Sequence, residues 1–271
     1  MRLSALLKTL LLGITLIATP ALAEDAVPLD ANGRVPVGFK GDDAEKIYDT
    51  LAKLPELKKD QFETEAEYQT RLKNLDKKAI TFDNGKNLGS KLVMQLRAPR
   101  SLHDYYNAET RTLTVKEGGQ ITFDIHAWDD SNILLDGFIM ALREKNLGSY
   151  IGSNAFGKEV RIYKSKNFEM VVGESRPIGL TSWGGHEKFN EAAALKLEPA
   201  KAREAMGHTR MLVIASLKQP FFYRGWTRHA PTISEPYEDD TEFKVLLVDP
   251  EELWVYNEEN GEIYKKVKLK K

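Results

Sequence analysis

Beyond residue 80 the apolar residues of this chain stop recurring at helical spacing and begin to alternate with polar ones, with turn residues about every ten positions. Alternation at period two sends successive side chains to opposite faces of a strand, so most of the chain must find its partners in a sheet. Ile121, Phe123, Ile125 and Ala127 alternate with Thr122, Asp124, His126 and Trp128, and Leu113 and Val115 share a face upstream of a reversal at Gly118 and Gly119. A first strand is expected over residues 91–97, ended by Pro99. The run 133–146 fits a helix nearly as well as a buried strand. Gly137 in its middle costs a helix about 1 kcal/mol relative to alanine, which favours a strand over 137–143. VRIYK and FEMVV read as a hairpin closed around residues 165–167, and RMLVIASL as a central strand. Residues 243–271 supply three more, with Asp249-Pro250 and Asn260-Gly261 as turn signals. In the lysine-rich end, Val267 and Leu269 alternate with lysines, which suits a guarded edge strand better than a polyanion-binding tail.

Before residue 80 the period is helical. Asp42 or Asp43 offers a cap, Ile47, Leu51 and Leu54 follow on one face, and Pro55 stops the helix. Thr64 stands three residues before Glu67, the spacing at which each side chain satisfies the other residue's orphan backbone N–H. Tyr68, Leu72 and Leu75 then form the apolar stripe. The acids of this stretch are therefore explained by capping and by the helix dipole rather than by a ligand. A further short helix is expected where Pro199 opens and Gly207 closes LEPAKAREAMG.

The first 23 residues carry Arg2 and Lys8, an apolar run, and a small-x-small ending at Ala21 and Ala23, the pattern of a secretory signal peptide cut before Glu24. The apolar run is shorter than the roughly 20 residues of a spanning helix, so no membrane span is expected after cleavage. Without Arg2 and Lys8 the chain keeps 37 basic against 40 acidic side chains, a net charge near −3 that gives no reason to expect nucleic acid as partner. There is no cysteine, which excludes disulfides, thiolate catalysis and cysteine-based metal sites. The expected organisation is a signal peptide (1–23), a flexible leader (24–41), a helical hairpin (42–80) and a sheet-rich domain (81–271). The fold class is α+β, the hairpin packing on a predominantly antiparallel sheet.

Four stretches, FETEAEYQTRL (62–72), YNAETRTLTV (106–115), GSYIGSNAFGKEVRI (148–162) and ELWVYNEENGEIYKK (252–266), carry a resemblance. The chain resembles uncharacterised secreted or periplasmic proteins of Gram-negative bacteria that share an F-E-T-x-x-E-Y-x-x-R-L helix, an N-A-F-G turn and a closing W-x-Y hairpin. The resemblance implies a periplasmic or secreted location and this architecture, and assigns no activity to any residue.

Metal and nucleophile motifs do not assemble. Of His103, His126, His186, His208 and His229, no two stand at metal-ligand spacing, and Asn190 occupies the place where a zinc-binding partner of His186 would be needed. No G-x-S-x-G or phosphate-cradling glycine loop is present. LDANGRVP begins like a calcium loop but lacks the closing glutamate. No cofactor is implied. Two candidates remain. Asp124 and His126 lie two apart on a strand and point the same way, with Asp129 and Asp130 just beyond, so one could orient the other for general-base work in a metal-independent hydrolase. The second is residues 219–240, read as a long loop in which Phe222, Tyr223, Trp226 and Tyr237 stand among Arg224, Arg228 and His229. Aromatic and arginine side chains suit recognition of a peptide, a glycan or an envelope protein. The competing reading puts the phenylalanines in the core and the tryptophan at a sheet edge. The leading functional expectation is a non-catalytic exported protein that binds or scaffolds a partner in the envelope.

Overall fold

The structure, a computed structural model, describes residues 27–96, 104–115, 120–127, 132–176 and 185–269. The signal segment, the Gly118–Gly119 reversal, Pro99, Trp128 and Asp129–Asp130 lie outside these residues.

Two short helices come first. α1 (Ala44–Leu51) is capped by Asp43, whose carboxylate accepts from the backbone N–H groups of Glu45 and Lys46. α2 (Glu65–Lys73) starts on the Thr64–Glu67 capping box read from the sequence, with both reciprocal bonds in place. Ile47 and Leu51 of α1 and Leu72 of α2 are buried in one core with the sheet. α1 lies against strands that begin at residues 159, 209 and 237, and α2 against the one that begins at 209.

Ten strands follow among the described residues: β1 (Lys91–Gln95), β2 (Tyr105–Asn107), β3 (Thr112–Thr114), β4 (Gln120–Ala127), β5 (Asn132–Ser153), β6 (Glu159–Arg176), β7 (Ala194–Lys196), β8 (Thr209–His229), β9 (Tyr237–Asn257) and β10 (Ile263–Lys268). Helices α3 (Gly185–Ala193) and α4 (Pro199–Ala205) separate β6 from β8. α4 is the expected Pro-first helix, whereas α3 has no counterpart in the sequence reading. β2, β3 and β7 form a small sheet of their own. The remaining seven strands form one sheet in the order β1-β8-β4-β5-β6-β9-β10, with β8 also paired to β9. All its pairings are antiparallel except β6 with β9. The fold is α+β.

The extra pairing closes a ring. β4 pairs with β5, β5 with β6, β6 with β9 and β9 with β8, and β8 returns to β4 through Trp226–His126 and Gly225–Ala127. Phe243 pairs with Gly225 on one edge and Glu169 on the other, so the ring passes through β9 rather than stopping there. The five strands thus close in the order first-second-third-fifth-fourth, with the third and fifth parallel. Leu135, Val171, Phe243, Val245 and Leu247, with Tyr223 against them, make a buried cluster drawn from strands alone. Among the described residues no helix side chain joins this cluster, which places it inside the barrel. Gly137 and Gly173 are register partners where β5 and β6 cross tightly: a Cβ on Gly173 would lie 2.3 Å from the Asp136 carbonyl oxygen.

Below the barrel β8 and β9 run on as the middle of a four-stranded sheet, β1-β8-β9-β10. One face packs on α1, α2 and α3 through Met211, Val213, Ala215, Leu253 and Val255. The other carries Leu212, Ile214, Trp254 and Tyr256 and is covered by Val27 and Val35.

Several expectations are corrected. Residues 27–41 are not a free leader. Val35 donates its N–H to Gly261, and Val27 and Val35 are each 1% exposed, because the second sheet face would otherwise be bare. The proposed hairpin around 165–167 is one continuous strand, β6, and the reversal comes earlier, where Asn154 accepts from the backbone N–H of Phe156 and Lys158. Asp249-Pro250 makes no turn; β9 passes through it with a register shift against β8 between Ile214 and Ala215. Residues 133–146 do form strand. The lysine-bearing end is the edge strand β10, with Val267 and Leu269 buried. Residues 219–240 are not a long loop: β8 continues to His229 and β9 begins at Tyr237.

Candidate functional site

The last correction reorganises the aromatic candidate. In a strand, alternate residues share a face, so the six of these candidates that lie on β8 divide. Tyr223 joins the barrel interior. His229 belongs to the same alternation and stacks on Tyr237 at 4.3 Å. Phe222, Arg224, Trp226 and Arg228 point outward. Their register partners on β9 are Leu246, Lys244, Glu242 and Asp240. Those in turn face Val172, Met170, Phe168 and Lys166 on β6.

This outer face forms a groove with two neighbouring cavities. The larger, about 460 Å³, lies between the sheet and α1, with Phe168, Met170, Phe222 and Tyr48 as apolar surface and Lys58, Arg143, Arg224 and Lys244 as cations. The smaller, about 350 Å³, is lined by Lys166, Trp226, Arg228, Asp240 and Glu242. Glu242 lines both, so the cavities adjoin. Tyr48 meets Phe222 edge-on at 5.5 Å. Arg228 lies 5.9 Å from the Trp226 ring centre and Lys166 5.1 Å from that of Phe168. Trp226 is 39% exposed, which leaves ring surface for a ligand.

Charge holds this face in shape. Arg143 donates to Glu45 from Nη1 and Nη2, at 2.7 and 2.6 Å, and Lys244 donates to Asp49 at 2.7 Å and to Glu45 at 3.1 Å, which ties α1 across β5 and β9. The Arg143 bonds draw the Glu45 carboxyl down to about 2 against the opposing effect of burial. Lys244 is partly desolvated, but its bonds to Asp49 and Glu45 outweigh that and its pKa is raised. Glu242 is held down by its bond to Lys166 at 2.6 Å, with Arg224 at 3.4 Å. Asp240 holds Arg228 at 2.6 Å. Among the described residues Lys58 has no ion-pair partner. The groove is therefore apolar at its floor and net cationic at its rim.

Comparison with known protein families, characterised proteins and solved structures returned no match.

For the acid–base candidate, the strand backbone is described but the side chains of Asp124 and His126 are not. In register, His126 sits beside Trp226 on one edge and Asn132 on the other, and Asp124 beside Leu134. Both sequence-derived candidates thus meet along the β4–β8 seam. Among the described residues no group of three or more histidines and acids could hold a metal ion, and no helix is long and apolar enough to cross a membrane.

Two residues escaped the sequence reading. Glu45 was not singled out, because its reach to β5 and β9 depends on pairing invisible in one sequence. Glu169 registers with Phe243, on the interior side of the barrel, and its Oε2 has no hydrogen-bond partner among the described residues. Burial, with the charge of Asp239 behind it, pushes its pKa up to about 7. A signal existed: in FEMVV the acid occupies a position where the alternation calls for an apolar residue.

Proposed function

We propose that this chain is a non-catalytic, exported binding protein of the bacterial envelope, which holds an extended acidic peptide segment in the groove of β8, β9 and β6. The helical hairpin of residues 42–80 serves as the wall of that groove. The observation that carries the reading is the outward alternation of Phe222, Arg224, Trp226 and Arg228 along one strand, facing two adjoining cavities. An apolar ligand side chain fits the surface made by Phe168, Met170, Phe222 and Tyr48, and a carboxylate beside it meets Lys58 and Arg224. Aromatic and arginine anchors contribute most where they are desolvated at the centre of an interface. The test is capture from envelope extract by wild type and by a Lys58→Glu, Arg224→Glu, Trp226→Ala variant. Loss of captured protein from the variant supports the groove, and an unchanged set removes it.

A second reading, a metal-independent hydrolase built on Asp124 and His126, is favoured by the register that puts His126 beside Trp226. Turnover of ester or peptide substrates that disappears in Asp124→Asn with the fold intact would establish it.

A further inference from the structure

The outer groove is open at one end and closed at the other. Successive rows of register partners across β8, β9 and β6 show the change. Arg228, Asp240 and Lys166 form one row, and Trp226, Glu242 and Phe168 the next. Arg228 and Trp226 are exposed. Further down, Phe222, Leu246 and Val172 form a row in which Leu246 and Val172 are 0% exposed. Helix α1 lies across the groove at this lower end. Glu45 accepts from Arg143 of β5, Asp49 accepts from Lys244 of β9, and Tyr48 meets the Phe222 ring of β8. An extended chain rises about 3.3 Å per residue, so the stretch of β8 between Arg228 and Phe222 accommodates about six residues of a ligand laid along it. Such a ligand must stop at α1. An internal segment of a polypeptide needs a way in and a way out, whereas a chain end needs only one.

Charge decides which end of a chain fits. Four cations line the larger cavity, at the closed end: Lys58, Arg143, Arg224 and Lys244. Glu45 and Asp49 engage Arg143 and Lys244, and Glu242 lies 3.4 Å from Arg224 while also engaging Lys166. Lys58 remains, with no ion-pair partner among the described residues. Glu169 borders the same cavity, but the alternation of β6 turns its side chain to the barrel interior. A ligand ammonium would add a further cation to this end, whereas a single carboxylate offsets Lys58. The cavity, about 460 Å³, lies within the range of about 300–1,000 Å³ typical of small-ligand pockets, and Phe168, Met170, Phe222 and Tyr48 give it apolar surface.

We propose that the groove takes the free C-terminus of a polypeptide. The last residue places an apolar side chain in the larger cavity and its α-carboxylate on Lys58 and Arg224, and the preceding residues run extended past Trp226 to leave beside Arg228. This inference rests on the binding reading above and narrows it from an acidic segment to a chain end. Charge-assisted bonds to a carboxylate are among the stronger polar contacts, and an amide in the same place leaves Lys58 without an anion.

The test uses the purified protein, immobilised, and two pools of N-acetylated hexapeptides that end in leucine and are randomised elsewhere, one pool of free acids and one of C-terminal amides. Retention is read by mass spectrometry at low ionic strength, where exposed charges are least screened. Free acids are expected to be retained about tenfold over amides, a factor equivalent to about 1.4 kcal/mol. Lys58→Gln, at an exposed position that leaves the circular dichroism spectrum unchanged, is expected to remove most of that preference. Equal retention of acids and amides overturns the chain-end inference and leaves the groove reading standing. An acid preference that survives both Lys58→Gln and Arg224→Gln also overturns it, because the carboxylate then sits elsewhere. Retention of neither pool overturns it as well, and the groove reading falls with it only if capture from envelope extract is also unchanged in the Lys58→Glu, Arg224→Glu, Trp226→Ala variant.

Discussion

The two halves of the β8–β9 ribbon share strands and hydrogen-bonding partner but live in different surroundings. In the lower half, Met211, Leu212, Val213, Ile214 and Ala215 are all buried, since helices cover one face and residues 27–39 the other. In the upper half, the inward face is buried by the barrel itself, while Arg224, Trp226 and Arg228 stay exposed. A register shift between Leu217 and Phe222 separates the two. Covered and open faces are thus divided along one ribbon: what covers a face decides whether it is left for anything else to bind.

That division makes graded predictions. The largest effect belongs to the doubly covered half. Leu253→Ala, at a fully buried position, is expected to lower unfolding free energy by about 2–5 kcal/mol in a urea titration; a loss below about 1 kcal/mol would show that the lower half is loosely packed.

An intermediate, pH-dependent effect belongs to the barrel interior. Glu169 has a pKa raised from 4.5 to about 7, so the folded state keeps a proton that the unfolded state has released. Its contribution is fully present below pH 4.5 and is lost as pH rises through about 7. Glu169→Gln is therefore expected to match wild type at pH 4 and to be more stable by about 1 kcal/mol at pH 8, a figure reduced for solvent reaching the barrel mouth. Parallel stability–pH curves for the two proteins would contradict this.

The smallest effect belongs to the outer groove. Trp226→Ala is expected to shift stability by less than about 0.5 kcal/mol, as at other surface positions, while weakening ligand capture. A large stability loss would mean that Trp226 is part of the core and the groove is not a free surface.

The elements legible in the sequence are those built from neighbours in the chain. RMLVIASL reads as a buried strand because both its faces are apolar, and KVKLK as an edge because its lysines alternate with buried residues. The upper ribbon was misread for an equally physical reason. Pro220, Pro231 and Pro236 and the charged residues between 224 and 242 are loop-forming chemistry taken locally. In the fold those charges stabilise the strands by meeting across them, Arg224 with Glu242 and Arg228 with Asp240. The same applies to Asp249-Pro250, a turn signal overridden where Leu253 to Tyr256 pair with β8 on one edge and β10 on the other.

By itself the sequence determined the starts of α1, α2 and α4, the alternation in strands such as β4 and β10, and the lack of any thiol, because those follow from residues close together in the chain. Only the tertiary structure decided which strands meet, that five of them close into a ring, and that four alternate residues of β8 share a groove with α1. Strand pairing joins residues far apart in the chain, so the energy that selects it resides in partners the local sequence does not contain.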